Sequence, residues 1–194
     1  ESNNPELYLI KGSILSQMEE TDKAIEAFRS AAELSSENVD EIFLSIAYEY
    51  QNKDDFEKAM SYLNKAIHFN PGNEDALYEM VYCYEQINQL DKAIGFLNVY
   101  LNNNPYSEAG WNNLGSIYSR VGDYENAVKA FDYAILSEEE HVPSYFNKAN
   151  ALIQLKEYEQ AIEAYSQCIA YDETNSLVDF NNFVLMLVST SRCL

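Results

Sequence analysis

Three asparagines, Asn113, Asn147 and Asn181, follow one another at equal intervals along the sequence. A carboxamide side chain both donates and accepts hydrogen bonds, as does each peptide unit of a polypeptide backbone. Asparagines at regular steps along one surface would therefore bind an extended backbone largely independently of its sequence. The alternative is that asparagine is simply tolerated on a solvated surface.

A second set of residues combines tyrosines with carboxylates. Tyr48, Tyr78 and Tyr82 are accompanied by Glu79 and Glu85. Tyrosine offers apolar area with a polar tip, and neighbouring carboxylates favour Lys or Arg on a ligand, partly through cation–π contact. The set predicts a recognition surface for a basic polypeptide. The alternative is that these tyrosines pack between neighbouring helices.

No combination of residues predicts catalysis. His68 and His141 lie outside any H-E-x-x-H or triad-like motif, no carboxylate pair stands out, and no glycine-rich phosphate loop or G-x-S-x-G motif is present. Cys83, Cys168 and Cys193 lack metal-ligand spacing, and the first two are expected to be buried as small hydrophobic residues. We therefore expect no enzymatic activity, no cofactor and no metal site.

The elements that must position these side chains are helices. Residues 108–141 contain two apolar sets at helical spacing, separated by a turn in which Gly122 can adopt a positive φ. Each set occupies one face of a helix, and the small residues allow the two backbones to approach closely. The sets are Trp111, Leu114, Gly115 and Tyr118, followed by Ala127, Phe131 and Ala134.

The same order of residue types recurs along the chain. Ala59, Ala93, Ala127 and Ala161 occupy one position of the repeat and are equally spaced, at the same interval as the three asparagines. One helix pair cannot cover its own apolar faces, whereas stacked pairs can. The recurrence predicts a single domain over residues 1–194, with units 5–38, 40–73, 74–107, 108–141 and 142–175 and a terminal helix 176–194.

The pattern of residues 108–141 resembles the tetratricopeptide repeat, or TPR. The resemblance implies an all-α, right-handed superhelical α-solenoid of antiparallel helix pairs, whose first helices line a concave groove that binds a peptide or a partner protein. The asparagine spacing is similar to the ladder in the TPR part of O-linked N-acetylglucosamine transferases. The resemblance assigns to the groove Asn112, Asn113, Asn147, Asn150, Asn181, Tyr48, Tyr78, Tyr82, Glu79 and Arg120.

The net charge of −20 limits the partners. Nucleic acid is a poor partner because its phosphates are bound by clusters of Lys and Arg, and an anionic membrane surface is disfavoured for the same reason. No run of residues approaches the roughly 18–20 apolar residues of a membrane span. A cationic or neutral polypeptide is compatible with this charge. The alternative is that the acidic residues only keep a large surface in solution.

The last predicted helix is apolar on all sides, at positions that include Phe180, Phe183 and Leu187. The end of a solenoid usually has a polar outer face. Either further repeats follow, or this surface packs on another molecule. Self-association through these residues is therefore an alternative function, and a regulatory arm of a larger protein is another.

The cysteine pattern bears on the cellular compartment. Three scattered cysteines favour a reducing environment, so a cytoplasmic location is expected. The sequence begins without Met and without a signal peptide, which indicates a processed chain or a cut at residue 1. A processed, secreted chain is the alternative.

Overall fold

The computed structural model describes residues 4–171, which contain ten α-helices and no strand. An all-α helical solenoid, the predicted fold class, is confirmed. The helices are α1 (Pro5–Gln17), α2 (Thr21–Leu34), α3 (Val39–Gln51), α4 (Phe56–Phe69), α5 (Glu74–Gln86), α6 (Leu90–Asn103), α7 (Glu108–Val121), α8 (Tyr124–Ser137), α9 (Val142–Gln154) and α10 (Tyr158–Tyr171).

The chain divides into two compact units, Glu1–Gln89 and Leu90–Leu194. In the first unit, which contains α1 to α5, each helix packs on the next, and α3 also contacts α5. In the second unit, which contains α6 to α10, each helix again packs on the next, and α7 also contacts α9. Each unit therefore brings the first helices of two successive repeats into contact. The single domain predicted for residues 1–194 stays a prediction.

Glycine allows the two helices of a pair to approach closely at two equivalent positions. A Cβ atom built on Gly12 would lie 2.6 Å from a ring carbon of Phe28, and one built on Gly115 would lie 2.6 Å from a ring carbon of Phe131. Real Cβ atoms do not approach so closely, so any side chain at either position would displace the ring. The predicted close approach of the two backbones is present.

The alanines at one position of the repeat, and two of the cysteines, are buried in the core. Ala59, Ala93 and Ala127 are completely buried, and Ala161 retains 2% exposure. Cys83 and Cys168 are both buried, which confirms their prediction as small hydrophobic residues. Burial raises the pKa of the Cys83 thiol. Cys193 lies outside the described residues.

One residue with a left-handed backbone conformation joins the helices in each of the five predicted pairs. It is Gly122 in the fourth repeat, with φ 84°, as its predicted turn requires. The equivalent residues elsewhere are Glu19, Asp54, Asn88 and Lys156, with φ 61°, 55°, 54° and 63°. A side chain makes this conformation unfavourable by roughly 1–2 kcal/mol, which glycine avoids.

Side-chain caps begin several of the helices. Asp55, Asn73, Ser107 and Asp123 each accept a hydrogen bond from a backbone N–H in the first turn that follows. These bonds satisfy donors that the helix itself leaves unpaired. Among residues 4–171, no helix combines the length and apolar character required to cross a membrane.

Candidate functional site

Three tyrosines form an exposed patch in the first unit. Tyr48 lies on α3, and Tyr78 and Tyr82 lie one turn apart on α5, which contacts α3. Their side chains are 40%, 41% and 43% exposed, so each is half-covered by protein and half-open to solvent. We call Tyr48, Tyr78 and Tyr82 the tyrosine patch. Half-exposed tyrosines present apolar area with a polar tip to a partner.

The carboxylate of Glu79 is held beside the patch. Gln51 donates from Nε2 to Glu79 Oε2 at 2.8 Å and lies 3.3 Å from Cys83 Sγ. The same carboxylate interacts electrostatically with the phenol of Tyr48. Burial raises the pKa of Tyr48 to about 12, and the carboxylates of Glu79 and Asp75 contribute to the rise. The patch therefore pairs a neutral phenol with an oriented carboxylate.

The asparagines of the second unit differ in their surroundings. Asn112, on α7, is 92% buried, since its relative exposure is 8%. Its Oδ1 accepts hydrogen bonds from Asn147 Nδ2 at 3.2 Å and from Ser144 Oγ at 3.3 Å, both on α9. The side chain of Asn112 thus connects two consecutive first helices. These hydrogen bonds use the side-chain carbonyl oxygen of Asn112 and one N–H of the Asn147 side-chain amide.

Asn113, the adjacent residue, has a different environment. It is also only 8% exposed, but its Nδ2 atom has no hydrogen-bond partner among the described residues. A buried amide donor without a partner is unfavourable by about 1–3 kcal/mol. A ligand carbonyl that reached this donor would remove that penalty.

The other predicted groove residues are more exposed. Asn150, on α9, accepts a hydrogen bond at its Oδ1 from the hydroxyl of Tyr165 at 2.7 Å. Arg120 is exposed in the last turn of α7. Asn181 lies outside the described residues. The same is true of the apolar residues proposed for self-association, namely Phe180, Phe183 and Leu187.

A partly buried polar chain connects the start of α9 to α7. His141 Nδ1 lies 2.7 Å from Ser144 Oγ, and His141 Nε2 lies 2.7 Å from Glu108 Oε1. The residue types are those of a serine hydrolase triad, which the sequence pattern had not indicated. Because Ser144 is completely buried, its hydroxyl is not accessible to a substrate here. The arrangement connects consecutive repeats, and no group of metal-binding side chains occurs within residues 4–171.

Glu49, which the sequence patterns above do not single out, lines a cavity beside the tyrosine patch. This carboxylate is 3% exposed, and its Oε2 atom has no hydrogen-bond partner in the described part of the chain. The sequence does contain a signal that identifies Glu49 as unusual. The equivalent positions in the next three repeats hold Cys83, Ile117 and Ala151, so an acidic residue interrupts an otherwise apolar column.

Family comparisons agree with the helix pairs. Models described as tetratricopeptide repeat match residues 5–38, 52–114, 109–141 and 142–175. The chain belongs to the tetratricopeptide repeat family. Tetratricopeptide repeats are typically non-catalytic, and membership supports a role as a scaffold for protein–protein interaction. A search of curated protein sequences found no match.

Solved structures share the tetratricopeptide fold at low sequence identity. The crystal structure of MamA has a TM-score of 0.64 at 18% identity, over 89% of this chain and 93% of that chain. A MamA from Desulfovibrio magneticus has a TM-score of 0.63 at 16% identity, over 89% and 97%. YrrB, described as a TPR protein with an unusual peptide-binding site, has a TM-score of 0.58 at 18% identity, over 99% and 93%.

Proposed function

We propose that this tetratricopeptide chain binds an extended, basic segment of a partner protein on the surface formed by its first helices. The tyrosine patch carries the proposal. Three tyrosines, each about 40% exposed, lie on two contacting helices around the hydrogen-bonded carboxylate of Glu79. Tyrosines dominate the binding energy of many protein interfaces because they bury a large area at a low entropic cost.

The charge of the chain supports a basic partner. The net charge of −20 attracts cationic polypeptides over distances of about 10 Å at moderate salt. At short range, Glu79 accepts hydrogen bonds from a Lys or Arg, and the tyrosine rings offer cation–π contact. YrrB, a structural neighbour, is described as having a peptide-binding site, which supports a peptide as the occupant.

In the second unit, Asn113 supplies the corresponding contact to a backbone. Its buried Nδ2 requires an acceptor, and a peptide carbonyl is an acceptor present at every residue of a ligand. Asn147 and Asn150 are nearby candidates on α9, although each already makes one hydrogen bond within the protein. The asparagine contacts proposed from the equal spacing thus depend chiefly on Asn113.

A peptide selection tests the proposal. Unstructured peptides of about ten residues are selected on the wild-type chain by phage display, and the affinity of the selected basic peptides is measured by calorimetry. We expect the double substitution Tyr78→Ala/Tyr82→Ala to weaken binding roughly 30-fold or more, as loss of a hot spot of about 2 kcal/mol would. Circular dichroism confirms that the variant is folded.

Tyr158→Ala is the matched control. Tyr158 is 44% exposed, as the patch tyrosines are, but it lies on α10, a second helix of its pair. This variant should bind as the wild type does. Equal losses in the control and in the double variant, or unchanged binding in the double variant, would refute the proposed role of the tyrosine patch.

A further inference from the structure

A cavity of about 270 Å³ lies between α1 and α3 in the first unit. Its volume corresponds to about nine water molecules at their share of liquid volume, so it has room for a side chain of a ligand. Helix α1 contributes Ser13, Ser16 and Gln17, while α3 contributes Tyr48 and Glu49. The remaining lining residues are Phe28 and Ser45.

Glu49 is the unusual member of this lining. Its side chain is 97% buried, given its relative exposure of 3%, and its Oε2 atom lacks a hydrogen-bond partner within residues 4–171. Removing a carboxylate from water without a compensating donor is strongly unfavourable. Buried polar groups in native proteins are nearly always hydrogen-bonded, so an exception requires an explanation.

The repeat pattern shows that the fold itself does not require an acid here. The equivalent residues of the following repeats, Cys83, Ile117 and Ala151, are apolar and at most 2% exposed. An apolar residue at this position would pack without an electrostatic penalty. We therefore expect Glu49 to lower the stability of the free protein, a cost that is typical of functional sites.

The other polar groups of the cavity also favour a ligand with many donors. The hydroxyl of Ser13 donates to the carbonyl oxygen of Leu9 at 3.0 Å, and that of Ser45 donates to the carbonyl oxygen of Glu41 at 2.9 Å. A hydroxyl whose proton is used in this way presents only acceptor lone pairs to its surroundings. Ser13 and Ser45 therefore add acceptors to the carboxylate of Glu49, while Ser16 and Gln17 contribute the donors of the lining.

We propose that the cavity is a binding site for an arginine side chain of the partner, with Glu49 as the acceptor of its guanidinium group. A guanidinium has five N–H donors and no acceptor, which complements this lining. It is planar and weakly hydrated, so it enters a partly buried site at a lower desolvation penalty than an ammonium group. The rings of Phe28 and Tyr48 provide aromatic surface for cation–π contact.

This inference deepens the proposed function, because it names the side chain that the first unit recognises. The cavity and the tyrosine patch share Tyr48, whose phenol interacts electrostatically with the carboxylate of Glu79. A partner whose arginine occupies the cavity would thus contact the patch with its neighbouring residues. Specificity for arginine would come from the cavity, and further binding energy would come from the tyrosines.

The test uses N-acetyl-L-arginine N-methylamide, titrated into the isotope-labelled chain and followed through the backbone amide signals of Ser13, Ser45 and Glu49 by NMR. We expect saturable shifts at these signals. The citrulline analogue has nearly the same shape but no charge, and it should produce no saturable shift. The lysine analogue should bind more weakly than the arginine probe.

Glu49→Gln keeps the shape of the side chain and removes its charge. It should weaken binding of the arginine probe roughly tenfold or more, the typical effect of losing a charge-assisted hydrogen bond. Glu57→Gln changes the net charge equally at an exposed position on α4 and should bind as the wild type does. Unchanged affinity in Glu49→Gln, or equal affinity for the citrulline or lysine analogue, overturns the proposal.

A second variant keeps the test independent of folding defects. Glu49→Ile introduces the residue type that Ile117 has at the equivalent position, so the melting temperature should rise while binding of the arginine probe is lost. A lower melting temperature would show that Glu49 is a structural residue. If the arginine probe does not bind, the arginine site is refuted, but peptide binding at the tyrosine patch is not. If the probe binds and Tyr78→Ala/Tyr82→Ala leaves peptide binding unchanged, the role of the tyrosine patch is refuted, but the arginine site is not.

Discussion

The side-chain amide of Asn147 donates a hydrogen bond to Oδ1 of Asn112 at 3.2 Å and so connects two consecutive first helices, α7 and α9. The interacting residues are one position further apart than the repeat, so Asn147, which is the repeat equivalent of Asn113, contacts Asn112 instead. The contact therefore assigns different roles to adjacent asparagines. Asn112 supports the packing of the repeats, whereas the buried Nδ2 of Asn113 has no partner among the described residues and is the donor that we propose for a ligand.

Asn112→Ala should destabilise the protein by about 1–3 kcal/mol. The substitution removes the acceptor of two hydrogen bonds and deprives the hydroxyl of buried Ser144 of one partner. Urea unfolding measures the change in the free energy of unfolding. Asn64→Ala, at an exposed position on α4, is the control and should change the free energy of unfolding by less than about 0.5 kcal/mol.

Asn113→Ala should weaken peptide binding without destabilising the protein. Because Nδ2 of Asn113 has no partner in the described residues, its loss should not lower the melting temperature. Peptides selected on the wild-type chain that contact the second unit should bind several-fold more weakly, since a net hydrogen bond contributes about 1 kcal/mol. Calorimetry measures the affinity. A variant that is destabilised but binds normally would contradict the ligand contact assigned to Asn113.

Substitutions at two turn residues should change the stability of the protein in opposite directions. Lys156→Gly should stabilise the protein by about 1 kcal/mol, because Lys156 adopts φ 63°, a conformation that glycine tolerates without strain. Gly122→Ala should destabilise it by a similar amount, because Gly122 has φ 84°. Melting temperatures of the two variants provide the measurement. A gain in stability for Gly122→Ala would be incompatible with the observed backbone conformation.

The buried phenol of Tyr165 predicts a loss of stability at high pH. Burial raises its pKa to about 12, from an ordinary value of 10.0, and its hydroxyl donates to Asn150. Because the pKa of Tyr165 is higher in the folded state than its ordinary value of 10.0, the phenol's contribution to the free energy of unfolding is fully present below that pH. It is lost as the pH rises from about 10 to 12, because the unfolded chain loses its proton first.

Urea unfolding at pH 9 and pH 11 measures this effect. The wild type should lose more stability between these pH values than Tyr165→Phe does, because the variant has no phenol to ionise on unfolding. Tyr106→Phe is the control, since Tyr106 is 87% exposed, and it should follow the wild type. Equal pH dependence in Tyr165→Phe and the wild type would exclude a contribution from the Tyr165 phenol.

Much of the fold could be predicted because its determinants are local and repeated. Small residues such as Ala127 and Gly115 occupy one side of each helix pair, and the same types recur at a constant interval along the chain. Apolar faces at helical spacing must be buried, and stacking of identical pairs is the simplest arrangement that buries them. The tyrosine patch could be anticipated for the same reason, since helical spacing places Tyr78 and Tyr82 on one face of α5.

The environment of the asparagines could not be predicted from their spacing. Asn112 and Asn113 are adjacent, of the same type and equally buried, yet one accepts two hydrogen bonds from α9 and the other has an unpaired donor. Their difference depends on how far α9 is displaced along α7. The length of the repeat does not specify that displacement, because it depends on how the side chains of the two helices interdigitate.

The sequence alone determined the repeat length, the helix pairs and the acidic surface, because each follows from residue types at fixed local spacing. Glu49 shows the limit of this reasoning. An acid in an apolar column was visible in the sequence, but the cavity beside it arises from α1, α2 and α3 together. Tertiary structure alone decided which polar side chains found partners, since desolvation and hydrogen-bond geometry depend on distances between helices that no single helix encodes.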